Sequence, residues 1–254
     1  KAYLNESIPL VIKLYVNHLT VRDIQYPQFK HEGFSVASLE KPKQYRETLG
    51  GVLYDVIEFD THMFAVKPGK LALGPAIIKC NLIIRKKRSH IGGSSFDDLF
   101  RGIDNGIFDD FFGNYGLYPF NAVSPQVTIN VLPLPGTGKP SNFKGAVGDF
   151  SMKAKVSPKE VNAGDPVTLT MTIEGDGNFD TVTCPELKTK SGFKVYEPQR
   201  KNSKGIKVFE RILIPASEDI KDIPEVAFSF FNPRDGQYYT IKKGPFPTTV
   251  KASK

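Results

Sequence analysis

The sequence predicts an all-β chain: two tandem immunoglobulin-like β-sandwich domains, the first interrupted by a short helical insertion rich in Phe and Asp. Three observations predict it. Apolar and polar residues alternate in short bursts, as where Val167, Leu169, Met171 and Ile173 are separated by Thr168, Thr170 and Thr172, the period of a half-buried strand. Pro and Gly, at 19 and 22 copies, punctuate these bursts as turns. A weak internal repeat divides the chain into two similar units.

In chain order, further bursts fall at residues 9–16, 54–59, 76–84, 127–131, 207–214, 226–231 and 238–241. The repeat aligns Ser7, Ile8 and Pro9 with Gly164, Asp165 and Pro166, then Pro27 with Pro185 and Gly33-Phe34 with Gly192-Phe193. Pro75 and Pro224 each precede a later apolar strand. The predicted organisation is a β-sandwich over 1–133 with its insertion at 86–122, a Pro/Gly linker over 134–147 and a second sandwich over 148–254. The second unit has the ~100-residue size of a seven-stranded sandwich, and 1–133 without the insertion leaves 96 residues. The segment before Pro9 is shorter than its counterpart 149–161, and the expectation is that these residues are a piece of a longer multi-domain protein. Pro133, Pro135 and Pro140 cannot stand inside a paired strand, because Pro lacks the ladder donor.

A composition of 40% hydrophobic and 24% charged residues is that of folded domains, not of a disordered chain. No run approaches the ~18 apolar residues of a membrane span. The net charge of +7 does not by itself mark a nucleic-acid binder, since the Lys residues lie mostly beside Gly, Pro or Ser in turns. Cys80 and Cys184 are 104 residues apart in a chain without Trp, so the Cys-Trp-Cys spacing of antibody domains is missing. Each reads as a small apolar residue, with a bond between them as the alternative.

The familiar catalytic patterns fail one by one. Gly138-Lys139 lacks a Gly five residues earlier and is followed by Pro140 instead of Ser or Thr, so it is no phosphate loop. His18, His31, His62 and His90 are isolated, and Gly92-Gly93-Ser94-Ser95 is no nucleophile elbow. We therefore expect no enzyme, no catalytic or metal residues and no cofactor. Gly175-Asp176-Gly177-Asn178 could in principle be a Ca²⁺ or anion loop; the structural reading is a tight turn between two strands.

The insertion stands apart. Phe96, Leu99, Phe100, Ile103, Ile107, Phe108, Phe111 and Phe112 recur near helical spacing, with Ser95 as a cap and Asp97 and Asp98 in the first turn. Gly102 and Gly106 divide it into two short helices. Residues 94–112 carry a charge of −4 against +11 elsewhere. Two readings stay open: packing on its own domain, with Arg85, Lys86, Lys87 and Arg88 docking the carboxylates, or capture of a partner by Phe96, Phe100, Phe108, Phe111 and Phe112 as apolar anchors.

At the linker, Pro133-Leu134-Pro135, Gly138-Lys139-Pro140 and Asn142 to Gly148 followed by Phe150 resemble a "PLP…GKP…F.GAVG.F" signature of the BatD-type oxygen-tolerance (aerotolerance) proteins. Residues 163–168, 175–178, 193–198 and 223–233 resemble that family's "AG.P.T", "G.GN", "FKVYEP" and "IP…FSFF.P", and residues 51–54 and 109–112 its "G..Y" and "D.FF". The resemblance implies a periplasmic or cell-envelope region, membrane-anchored through a segment outside these residues. It also implies von Willebrand factor A-domain membrane proteins and a MoxR-type ATPase system as partners, and no nucleic acid. The function expected is a non-enzymatic scaffold of an envelope oxidative-stress complex. A glycan-binding or adhesin-type surface module is the alternative, since tandem sandwiches also serve there.

Overall fold

A computed structural model describes residues 1–85 and 115–252. The fold is all-β, and every ladder joins strands within Ala2–Leu132 or within Gly148–Lys251. In the N-terminal half one sheet carries Ser7–Val16, Val52–Ala65 and Phe34–Val36 in that order, with Lys43–Leu49 also on Val52–Ala65. Tyr115–Val123, Ala76–Arg85 and Thr20–Arg22 form a second sheet, and Val127–Leu132 lies between Ala2–Tyr3 and Gly69–Leu73 in a third. Phe34, Met63, Ala65, Leu71, Leu73 and Val131 fill one core, with Ile57, Phe59 and Ile78 in a neighbouring one.

The C-terminal half repeats this plan with one more long strand. Gly148–Ser157, Val167–Gly177, Ile206–Pro215 and Phe193–Val195 make one sheet, and Glu186–Leu187, Val226–Asn232 and Gln237–Lys243 the facing one. The strand read from its alternation behaves as the pattern requires: Val167, Leu169, Met171 and Ile173 are each 0% exposed. Burying side chains of this size contributes about 1.5 to 3 kcal/mol apiece.

The repeat is visible in the ladders. Phe34 and Val36 pair with Ala65 and Met63 as Phe193 and Val195 pair with Pro215 and Leu213. The short strands after Pro27 and Pro185 pair with the strands after Pro75 and Pro224. One alignment shifts. Ile8 stands opposite Met63 as Val167 stands opposite Leu213, so Ile8, not Leu10, is the counterpart of Val167, and Pro9 lies inside a strand. An edge strand tolerates a proline that a strand paired on both sides would not.

The insertion is narrower than the spacing suggested. Residues 115–122, read as its end, belong to Tyr115–Val123, whose Tyr115 pairs with Arg85. It therefore replaces the turn of a hairpin, at the place where the C-terminal half has residues 233–236 between Val226–Asn232 and Gln237–Lys243. The expected short helices and Phe96, Phe100, Phe108, Phe111 and Phe112 lie outside the described residues.

The Gly-Asp-Gly-Asn segment is no tight turn. Gly175, Asp176 and Gly177 continue the long strand and pair with Phe150, Asp149 and Gly148; Asn178 then caps the 3-10 turn Phe179–Thr181 through Oδ1, which accepts from the Asp180 N–H at 3.1 Å. A Cβ on Gly148 would stand 2.6 Å from the Asp176 carbonyl oxygen, and one on Gly175 would overlap the Asp149 carbonyl. Glycine is needed because the two backbones approach within the space of a side chain.

Beneath that turn lies a buried cation. Lys207 is 6% exposed, and its Nζ donates to the Phe179 and Val182 carbonyls at 2.9 and 2.7 Å. Burial pushes its pKa below the ordinary 10.5, with Arg200 acting the same way and Asp180 opposing.

Two predictions follow from this packing. Gly175→Ala is expected to destabilise the C-terminal half by about 2 kcal/mol or more in urea titration, whereas Gly136→Ala, with open space around it, stays within about 0.5 kcal/mol. Lys207→Ala strips two carbonyls of their donor and is expected to cost about 1 to 3 kcal/mol. In the wild type the unfolded chain holds the Lys207 proton up to 10.5 while the folded chain releases it earlier. Stability from this group therefore rises as pH climbs from the lowered folded value to 10.5, and Lys207→Ala removes that slope.

Candidate functional site

Three regions carry more than packing: the junction between the halves, a cleft in the C-terminal half, and the exposed surface of the N-terminal half. At the junction, the linker residues fold onto Val226–Asn232. Asn142 Oδ1 accepts from the buried Ser229 hydroxyl at 2.7 Å, the Phe231 N–H donates to the Ala146 carbonyl, and Asn178 donates to Val147. Phe231 and Val147 are both 0% exposed.

Aromatic edges complete the junction. Tyr3 meets Phe231 at 4.8 Å between ring centroids, Phe231 meets Tyr238 at 5.0 Å, and Tyr238 meets Phe143 at 5.0 Å. Such edge-to-face pairs each add roughly 0.5 to 1.5 kcal/mol beyond area burial. The Tyr238 hydroxyl donates to the Pro135 carbonyl at 2.7 Å, and Lys139 Nζ lies 5.4 Å from the Phe143 ring. Tyr238 is thus taken up by the linker, while Tyr239 stacks on Phe230 and bonds Asp235. The two tyrosines form no common aromatic platform. Nearby, Arg234 reaches Asp149 at 3.6 Å and Asp176 at 3.7 Å, so a guanidinium already serves the one carboxylate of the Gly-Asp-Gly-Asn segment and the Asp149 that faces it.

The cleft has a volume of about 460 Å³ and is lined by Asn142, Lys144, Cys184, Glu197, Arg211 and Ser229. Arg211 Nε is buried with no hydrogen-bond partner, so the wall offers a donor to an acceptor. The signal for it was in the strand period: Lys207, Phe209, Arg211 and Leu213 share the inward phase of Ile206–Pro215, and a charge in that phase is the exception worth noting. Cys80 and Cys184 are both free. Burial pushes the Cys184 thiol up; Arg211 pulls it down and Glu197 up again. A thiol so held is a poor nucleophile at neutral pH.

On the N-terminal half, Glu58 lies in the ladder between Lys13 and Lys43 and contacts them at 3.3 and 3.4 Å. The hydrogen bond from the Tyr45 hydroxyl, followed by the two lysines, holds its carboxyl below the usual range. Tyr115–Val123 is the opposite in character: Tyr115, Leu117, Tyr118, Phe120 and Val123 are all exposed, an apolar strand leading directly out of the Phe-rich insertion. Among the described residues no three His, Cys, Asp or Glu side chains converge on one point, and no helix is long and apolar enough to cross a membrane.

The state of Cys184 yields a measurable expectation. Alkylation by iodoacetamide at pH 7.4 should run at least tenfold slower at Cys184 than in the urea-unfolded chain and accelerate only above the ordinary thiol range, as followed by peptide mass spectrometry. Equal rates would show the thiol to be open and activated.

No match was found among curated proteins. Residues 154–250 match the family described as BatD DUF11 like domain. That region holds Val167–Gly177, most of the residues that line the cleft and the strands that receive the linker, and over it the chain is similar to the BatD-type family.

Proposed function

We propose that this chain is a non-enzymatic interaction scaffold of an envelope oxidative-stress (aerotolerance) complex, working in the periplasm or cell envelope. The anchor would lie outside these residues. The similarity of residues 154–250 to the BatD-type family supports the aerotolerance setting. The observation that carries the contact role is the apolar strand Tyr115–Val123, with Leu117 61%, Phe120 48% and Tyr118 46% exposed, adjoining the insertion that bears Phe96, Phe100, Phe108, Phe111 and Phe112. Exposed apolar surface of this kind is characteristic of protein contact sites. The protonated Cys184 thiol fits contact better than covalent chemistry.

The partners in this reading are von Willebrand factor A-domain membrane proteins, with a MoxR-type ATPase system acting alongside. Affinity capture from solubilised native membranes tests it, comparing wild type with a variant in which those five Phe are Ser. Both proteins are first shown folded by circular dichroism and thermal melting. The expected result is an A-domain protein captured by wild type and lost, by at least tenfold, with the variant. Retention by the folded variant would remove the insertion from the contact surface, and absence of any A-domain protein from the wild-type capture would overturn the reading.

A further inference from the structure

The cleft of the C-terminal half lies between its two sheets and is built around one charged side chain. Arg211 stands opposite Leu169, which is 0% exposed, in the ladder of Val167–Gly177 with Ile206–Pro215, so its stem starts on the inner face of that sheet. Leu187, Phe228 and Ser229 line the cleft from the facing sheet. On the other side of Ile206–Pro215 the ladder breaks beside Arg211. The Tyr196 N–H donates to the Ile212 carbonyl and Gln199 pairs with Glu210, so Glu197 and Pro198 together stand against Arg211 alone. An extra residue of this kind bends a strand and locally ends its pairing, and here Glu197 and Pro198 form one wall of the cleft.

The placing of this guanidinium has a cost that the chain does not recover. Arg211 is part-buried, its Nε is buried with no hydrogen-bond partner, and it forms no ion pair with a carboxylate of the described residues. Glu186, on the cleft wall, is engaged by Lys144 at 3.8 Å instead. A buried donor left unpaired opposes folding. A guanidinium only donates, so what answers it is an acceptor, and its planar fork matches a carboxylate through two parallel bonds. The other lining charges narrow the choice. Lys144, Lys190 and Arg211 against Glu186 and Glu197 leave one positive charge, the complement of a monoanion, and Glu197 repels a second negative charge. Cys184, on the same wall, is kept protonated by burial and adds no charge of its own. Pro185, Leu187 and Phe228 supply apolar surface, and about 460 Å³ falls within the ~300 to 1,000 Å³ of clefts that hold small ligands.

We propose that this cleft is a binding site for a monocarboxylate with an apolar body, Arg211 clamping the carboxylate while Pro185, Leu187 and Phe228 receive the body. A free organic acid and the carboxy-terminal residue of a peptide present the same group, and the site reads that group. The unpaired Nε is then a binding device: its burial opposes folding in the free protein and is offset when the acid is bound. The inference goes beyond the contact reading above and does not depend on it, since none of the residues that line the cleft belongs to the surface assigned there to partner contact.

The test is a proton–nitrogen NMR titration of residues 1–254 at pH 7 with hydrocinnamate, its uncharged amide and phenyl phosphate. A second pair of probes, N-acetyl-glycyl-phenylalanine with a free or an amidated carboxy terminus, stands for a peptide end. The variants are Arg211→Met, which keeps the apolar stem and removes the donors, and Arg211→Lys, which keeps the charge and loses the fork. The expected result is saturable binding of at least one free acid, with shifts at the Cys184, Leu187, Phe228 and Ser229 amides. Its amide binds at least tenfold weaker, Arg211→Met weakens the acid at least tenfold, and Arg211→Lys at least threefold. Arg211→Met is expected to melt no lower than wild type, because it removes an unpaired buried donor; where it disturbs the fold, Arg211→Lys carries the comparison. Either order of affinity between hydrocinnamate and the peptide acid supports the site and identifies the source of the carboxylate. No saturable binding of either acid, equal binding of acid and amide, tighter binding of phenyl phosphate, or unchanged binding in a folded variant overturns the proposal.

Discussion

At Gly148 to Phe150 and Gly175 to Gly177 two backbones run closer than side chains would permit, and the rest of the C-terminal half is arranged around that approach. It is the point where the linker stops being a linker. Directly before it, Ala146 and Val147 bond Phe231 and Asn178; directly after it, Phe150 enters the core and meets Phe179, Phe228 and Phe230 edge-on at 5.4 to 5.9 Å. With Cβ atoms there, the first strand could not close on Val167–Gly177, and the apolar face of that strand would be left with one covered side.

That dependence explains why the signature at the linker contains no reactive group. Asn142 holds Ser229, Phe143 packs on Tyr238, and Gly148 permits the close approach. Its residues build a joint. Tyr3, from the first strand of the N-terminal half, packs on Phe231 from the other side, and Lys204 donates to Glu40 across the halves at 3.0 Å. The second of these is an exposed pair of little energetic weight, so the aromatic contacts and the buried backbone bonds are what join linker and halves.

Most of the fold was legible because a two-residue period and a Pro or Gly at each turn are local signals. The Thr-spaced run at Val167 to Ile173, and the strands after Pro75 and Pro224, appear where the pattern put them. What was not legible is what depends on the partner strand. Pro9 reads as a strand boundary by analogy with Pro166, yet it sits within a strand because its missing donor points away from Val52–Ala65, the strand that pairs with it. Gly175 to Gly177 reads as a turn because glycine serves both turns and close approach, and only the facing Gly148 distinguishes the two. Of the candidate site, the cleft was hidden although Lys207 and Arg211 stood in an apolar phase. The predicted Phe anchors fall outside the described residues, but their neighbour Tyr115–Val123 does not, and it was read as insertion because its exposed apolar residues occupy both phases.

The comparison between the halves turns on edge coverage. An apolar strand inside a sandwich exposes two lateral rows of backbone groups, and each must be paired, blunted or left wet. The C-terminal half pairs both rows of Val167–Gly177. Among the described residues, the N-terminal half pairs one row of Ser7–Val16, places Pro9 in the other, and sets Lys13 in the middle with its Nζ held over the sheet by Glu47 and Glu58. A proline and a charged side chain are devices that keep a strand edge from indiscriminate pairing.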